Sequence, residues 1–136
     1  MTVPAVLFLC VHNAGRSQMA LGWLEHLARD RAVAFSGGSE PGAAVNPAAV
    51  AAMAEVGIDI AHRTPRRWSE SDLAAAAVVV TMGCGDSCPF IPGKRYEDWK
   101  LDDPAGQGIE VLRPIRDEIE RRVRDLLAGL EIPVEG

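Results

Sequence analysis

A chain of 136 residues is long enough to bury a core of its own and too short for a second, so one domain spanning residues 1–136 is expected. Its 48% hydrophobic and 24% charged residues suit a globular protein in water, and no stretch approaches the roughly 20 apolar residues a bilayer crossing needs. A net charge of −5 excludes the extended basic surface that nucleic acid or an anionic membrane requires, so an anionic ligand must be captured by local geometry.

The opening MTVPAVLFLC has no basic leader and no small-residue cleavage site, so it reads as a buried strand over residues 3–9 rather than a signal peptide. A cytoplasmic protein is expected. The strand runs into Cys10-Val11-His12-Asn13-Ala14-Gly15-Arg16-Ser17. From Ser17 onward Ala20, Trp23, Leu24 and Leu27 recur at helical spacing, with His26 on the exposed side of that helix. Residues 32–35 form a second predicted strand, which Ser36-Gly37-Gly38 ends by supplying positive φ. Asn46 is a natural cap for a helix over residues 47–56, with Pro47 at its first position and Gly57 as its stop. A short helix over residues 69–76 precedes the β-branched run Val78-Val79-Val80-Thr81, a third strand. Residues 83–93 read as a loop, 95–99 as a short fourth strand, and Asp102-Asp103-Pro104-Ala105-Gly106 as another loop. Ile115, Ile119, Val123 and Leu126 then draw one apolar stripe on a closing helix, with Pro114 in its first turn.

Strands alternating with helices imply parallel pairing and right-handed crossovers, hence a three-layer α/β fold: a four-stranded parallel sheet with helices on both faces. In such sheets the ligand crevice opens beyond the carboxyl ends of the strands, and Cys10, Cys84 and Asp103 all follow predicted strands.

The segment from Cys10 to Ser17 carries the chemistry. Five residues between a cysteine and an arginine, at the start of a helix, can curl into a nest of backbone N–H groups from Val11, His12, Asn13, Ala14, Gly15 and Arg16 around a tetrahedral oxyanion. Arg16 adds a planar fork for two of the anion's oxygens. Cys10 lies beneath the central atom, where the field that binds the anion also favours thiolate, the nucleophilic form. Ser17 can donate a hydrogen bond to the sulfur, and Asn13 can hold the loop, since asparagine tolerates left-handed backbone.

These residues resemble the low-molecular-weight protein tyrosine phosphatase superfamily, and more closely its arsenate reductase branch. The resemblance rests on LFLCVHNAGRSQMA, Ser36-Gly37-Gly38, Asn46-Pro47 with Ala52-Met53, VVVTM, Asp103-Pro104-Ala105-Gly106 and Arg116-Asp117-Glu118-Ile119. It implies that Cys10 attacks arsenate, that Arg16 holds the oxyanion, with phosphate or sulfate as analogues, and that Asp103 protonates the leaving oxygen. Asp98 and Asp102 are the other acids in that region.

Two further thiols choose between reductase and phosphatase. Reducing As(V) to As(III) needs two electrons, which paired thiols give by closing a disulfide. Cys84 attacking the Cys10–arsenic adduct releases arsenite, and Cys88 then resolves the Cys10–Cys84 disulfide. No tightly bound cofactor and no metal are expected; reducing equivalents come from thioredoxin, or alternatively from mycothiol with mycoredoxin, and the protein is expected to be a monomer. Some relatives bind potassium through Asn13, an acidic residue at position 21 and Ser36, but here position 21 is Leu21. A tyrosine phosphatase is the rival reading, with Tyr96 and Trp99 as candidates to clasp a phenyl ring. A zinc module built on Cys84 and Cys88 is the other, lacking a second paired motif among Cys10, His12, His26 and His62.

Overall fold

The structure is a computed structural model that describes residues 3–83 and 92–134. Four parallel strands, β1 (Ala5–Cys10), β2 (Val33–Gly38), β3 (Val78–Thr81) and β4 (Arg95–Asp98), form one sheet in the order β2-β1-β3-β4. Between and after them run α1 (Arg16–Ala28), α2 (Pro47–Ala54), α3 (Glu70–Ala75) and α4 (Ile109–Gly129). Side chains alternate across a strand, and both faces of this sheet are covered. Val6, Phe8, Cys10, Val78 and Val80 enter the larger core with α1, α2 and α4, whereas Leu7, Leu9 and Val79 enter a smaller one with Leu73 of α3. β1 lies inside the sheet, so its carboxyl end, where Cys10 sits, is walled by neighbours on both sides. Among the described residues no helix is long and apolar enough to cross a membrane.

Several helix ends follow local chemistry. Asn46 Oδ1 accepts from Ala48 N–H at 2.9 Å with Pro47 in the first turn, and Gly57, at φ 81°, lies just beyond α2. Ser69 caps α3 by accepting from Asp72 N–H at 3.1 Å.

Three sequence expectations are corrected. Ser36, Gly37 and Gly38 do not end β2 but belong to it, pairing with Phe8, Leu9 and Cys10. Neither glycine has positive φ. They are small for want of space: a Cβ on Gly37 would lie 2.6 Å from the Trp68 backbone, and one on Gly38 2.6 Å from the Val11 carbonyl. Pro114 is not in the first turn of its helix but one turn further in, because α4 starts at Ile109. The turn ahead of the proline is held by packing, with Leu112 fully buried and Ile109 against the core. His26 is half-buried rather than exposed, its ring edge-on to Trp23 at 6.1 Å.

The end of α2 is tied to α4 by charge. Glu55 accepts from Arg113 Nη2 at 2.6 Å and from Arg116 Nη1 at 2.8 Å, and Arg116 also donates to the Ala52 carbonyl at 2.9 Å. The hydrogen bonds from Arg113 and then Arg116 pull the Glu55 pKa down from 4.5 to about 2. A carboxylate with a depressed folded-state pKa stabilises fully above its unfolded value, and that contribution is lost as pH falls toward the folded value. Thermal melts are therefore expected to show Glu55→Gln destabilised at neutral pH, with the gap to the native chain closing between pH 4.5 and about 2. A gap that stayed constant across that window would assign the loss to packing instead.

Candidate active site

Cys10 closes β1 with 2% of its surface exposed, and the turn after it is held by its own carbonyls. The carbonyls of Cys10, Val11, His12 and Ala14 accept from the amides of Ser39, Glu40, Gly42 and Asn46 at 3.3, 2.8, 2.9 and 2.8 Å. In a trans peptide the following N–H points the opposite way. The amides of Val11, His12 and Gly15 therefore face the inside of the turn, and none finds a backbone acceptor among the described residues. Asn13 N–H turns onto Cys10 Sγ at 3.3 Å. Together they make a concave set of donors at the N-terminus of α1, the arrangement that attracts an anion.

Asn13 holds this turn. Its φ of 51° is left-handed, it is fully buried, and its Oδ1 accepts from Gln18 Nε2 and from Arg66 N–H, each at 3.0 Å. Its Nδ2 donates to Ser17 Oγ at 2.7 Å, and Ser17 Oγ lies 2.9 Å from Cys10 Sγ. A hydroxyl that accepts from Asn13 still has its own hydrogen free to give, so Ser17 can donate to the sulfur whenever Cys10 is a thiolate. The Asn13 amide and the Ser17 hydroxyl together hold the Cys10 sulfur in one orientation.

Arg16 is 5% exposed, with Nη1 donating to the Leu101 carbonyl at 3.4 Å and Nη2 3.8 Å from Asp103 Oδ1. A guanidinium has five donors, so these contacts leave others for a ligand. Arg16, Cys10, His12 and Asp103 line one cavity of about 390 Å³. Asp103 is half-exposed at its rim, with Oδ1 accepting from Ala105 N–H at 3.0 Å. Of the three acids considered from sequence, only Asp103 lines this cavity: Asp98 accepts from Thr81 Oγ1 at 2.8 Å, and Asp102 borders neighbouring grooves. The Asp103 loop docks on the oxyanion turn, since a Cβ on Gly15 would meet Pro104 Cγ at 3.2 Å.

Neither candidate aromatic clasp stands at the cavity. Trp99 is 3% exposed and packs on Phe8 at 5.8 Å between ring centres, while Tyr96 packs against the smaller core. His12 is exposed at the mouth, its Nδ1 3.0 Å from the Glu40 carbonyl. Leu21 is buried in the core. Cys84 and Cys88 lie outside the described residues. Among those described, no group of three or more His, Cys, Asp or Glu side chains is placed to hold a metal.

Sequence reasoning did not find Gln18 and Arg66 as clamps on Asn13, nor Gly38 as the floor on which the turn rests. A glycine inside a strand signals close backbone approach, but from sequence Gly38 reads as ending its strand, which hides that signal.

The family model for low molecular weight phosphotyrosine protein phosphatase matches residues 5–134. A putative arsenate reductase of Halobacterium salinarum is 41% identical over 124 residues, covering 88% of this chain and 87% of the relative. The glutaredoxin arsenate reductase of Synechocystis is 38% identical over 92% of this chain and 97% of the relative. The solved thioredoxin-dependent arsenate reductase of Corynebacterium glutamicum superposes with a TM-score of 0.82 at 38% identity over 96% of this chain, which spans 63% of that longer one. With the family model matching nearly its whole length, this chain belongs to the low molecular weight phosphotyrosine protein phosphatase family.

Proposed function

We propose that this protein reduces arsenate to arsenite, with Cys10 as nucleophile, Arg16 and the turn from Val11 to Gly15 as the oxyanion site, Ser17 as the donor to the sulfur, and Asp103 as the acid. The observation that carries the reading is a buried thiol given two hydrogen bonds at the foot of a cavity lined by Arg16 and Asp103. Among the described residues no aromatic side chain lines the cavity, which favours a small inorganic oxyanion over a phosphotyrosine ring. The named arsenate reductases among its relatives support the same substrate.

In the first step the Cys10 thiolate attacks arsenic(V), and one oxygen departs as water after taking a proton from Asp103. Cys84 then attacks Cys10 Sγ. The S–As electron pair stays on arsenic, arsenite leaves, and a Cys10–Cys84 disulfide remains. Cys88 attacks Cys84, freeing Cys10 and leaving a Cys84–Cys88 disulfide for an external dithiol to reduce. That dithiol is thioredoxin in this reading; mycothiol with mycoredoxin is the alternative, in which the small thiol takes the adduct directly.

The test is purified protein with arsenate and NADPH, comparing thioredoxin plus its reductase against mycothiol plus mycoredoxin. With thioredoxin, Cys88→Ser is expected to release one arsenite per chain and stop, and Cys84→Ser to release none. If both variants keep full turnover with thioredoxin, the relay fails. If they keep it with mycothiol alone, the alternative coupling holds. Hydrolysis of an aryl phosphate without arsenite formation would return the protein to the phosphatases.

A further inference from the structure

The oxyanion arginine is confined from a side the mechanism has not used. Gly83 follows β3, whose end is pinned from both neighbours: Met82 N–H donates to the Leu9 carbonyl at 2.7 Å, and Trp99 N–H to the Thr81 carbonyl at 2.8 Å. Met82 itself is fully buried, so the residue before Gly83 is anchored in the sheet. Its φ is +86°, and a Cβ placed there would lie 2.5 Å from Arg16 Nη1, with the guanidinium carbon at 3.4 Å and Nη2 at 3.6 Å. The group approached is the rigid planar head of a side chain that is 5% exposed, already bonded to the Leu101 carbonyl and facing Asp103. It has little room to yield except by leaving its place.

We propose that Gly83 is a positioning residue for oxyanion capture: its bare Cα is the wall against which the Arg16 guanidinium rests, and any side chain there displaces the fork from its anion. The proposal rests on the reading of Arg16 as the group that holds arsenate. Gly83, Leu101 and Asp103 then form three sides of a cage, and the oxyanion site is the open fourth. A misplacement of the order of 1 Å is enough to cost a bound anion its paired hydrogen bonds.

Gly83→Ala brings two effects together, the side chain against Arg16 and an L-residue at positive φ. Two controls separate them. Gly83→Asn carries the same Cβ on a residue that tolerates left-handed backbone better. Arg16→Lys removes the planar head, so a second substitution at position 83 meets a thinner chain. Phosphate is the probe, titrated by calorimetry for tight binders and by 31P line broadening for weak ones, so the readout does not depend on turnover. Both Gly83 variants are expected to raise the phosphate Kd by about tenfold or more in the native background. In the Arg16→Lys background they are expected to change it by less than about twofold. The rate of Cys10 alkylation by uncharged iodoacetamide should stay near native, because the donors to the sulfur are elsewhere. An equal loss in both backgrounds, a loss in Gly83→Ala that Gly83→Asn restores, or native affinity in both variants would overturn the proposal. A native chain that binds phosphate but never yields arsenite would sink the reductase reading and leave the Gly83 cycle fully readable.

Discussion

Replacing Cys10 by serine is expected to lower arsenate turnover by about 10⁴-fold or more, because in the proposed mechanism the group lost is both the nucleophile and one of the redox-active sulfurs. A serine hydroxyl stays protonated at neutral pH and cannot enter a disulfide, so neither adduct formation nor electron transfer survives. The fold should tolerate the change. Serine nearly matches cysteine in size, and the Ser17 hydroxyl at 2.9 Å and the Asn13 amide at 3.3 Å can hydrogen-bond an oxygen as well as a sulfur. Phosphate should still bind, since the turn's inward amides and Arg16 are untouched. The check is arsenite formed over hours, measured chromatographically, beside a phosphate titration and a thermal melt. Residual turnover above about 1% of native would move the nucleophile elsewhere and end the mechanism.

The parts of the molecule legible from sequence are those where local chemistry and tertiary structure agree. The apolar run at the start gave a strand buried on both faces; Asn46-Pro47 gave a helix start; Val78 to Thr81 gave the third strand. The oxyanion turn was legible because its own residues build it: Asn13 takes the left-handed backbone, and Ser17 reaches the sulfur seven residues before it. Contacts between distant segments were not legible. Gly37 and Gly38 carry no mark that separates a glycine kept for positive φ from one kept for close approach, and here the neighbours are Trp68 and Val11. Pro114 looked like a helix start because proline favours the first turn, yet Ile109 and Leu112 anchor a turn ahead of it by burial. Trp99 looked able to serve a ring-binding cleft, and its pairing with Phe8 places it in the core instead. The enclosure of Arg16 is of the same kind, assembled from residues 67 to 87 positions further along the chain.

Arg16→Lys tests the other half of the site, and its expected cost is a drop in kcat/KM for arsenate on the order of 10²–10³-fold, the scale of losing a directed donor to a developing anion. The positive charge is kept, so the effect isolates geometry. A guanidinium presents parallel donors in one plane and can hold Leu101, face Asp103 and still bind two oxygens of the guest, whereas an ammonium is a point with three rotating donors. The buried setting sharpens the difference, because Arg16 is 5% exposed and a lysine there must find partners for a compact, strongly hydrated charge. Phosphate inhibition should weaken in parallel with the loss in kcat/KM, since both report the same pair of oxygens. Alkylation of Cys10 by iodoacetamide should change far less, because the contacts of Ser17 and Asn13 with the sulfur do not involve Arg16. A variant that kept kcat/KM within about threefold of native would mean that backbone amides alone hold the oxyanion, and that Arg16 serves only to tie the Asp103 loop to the start of α1.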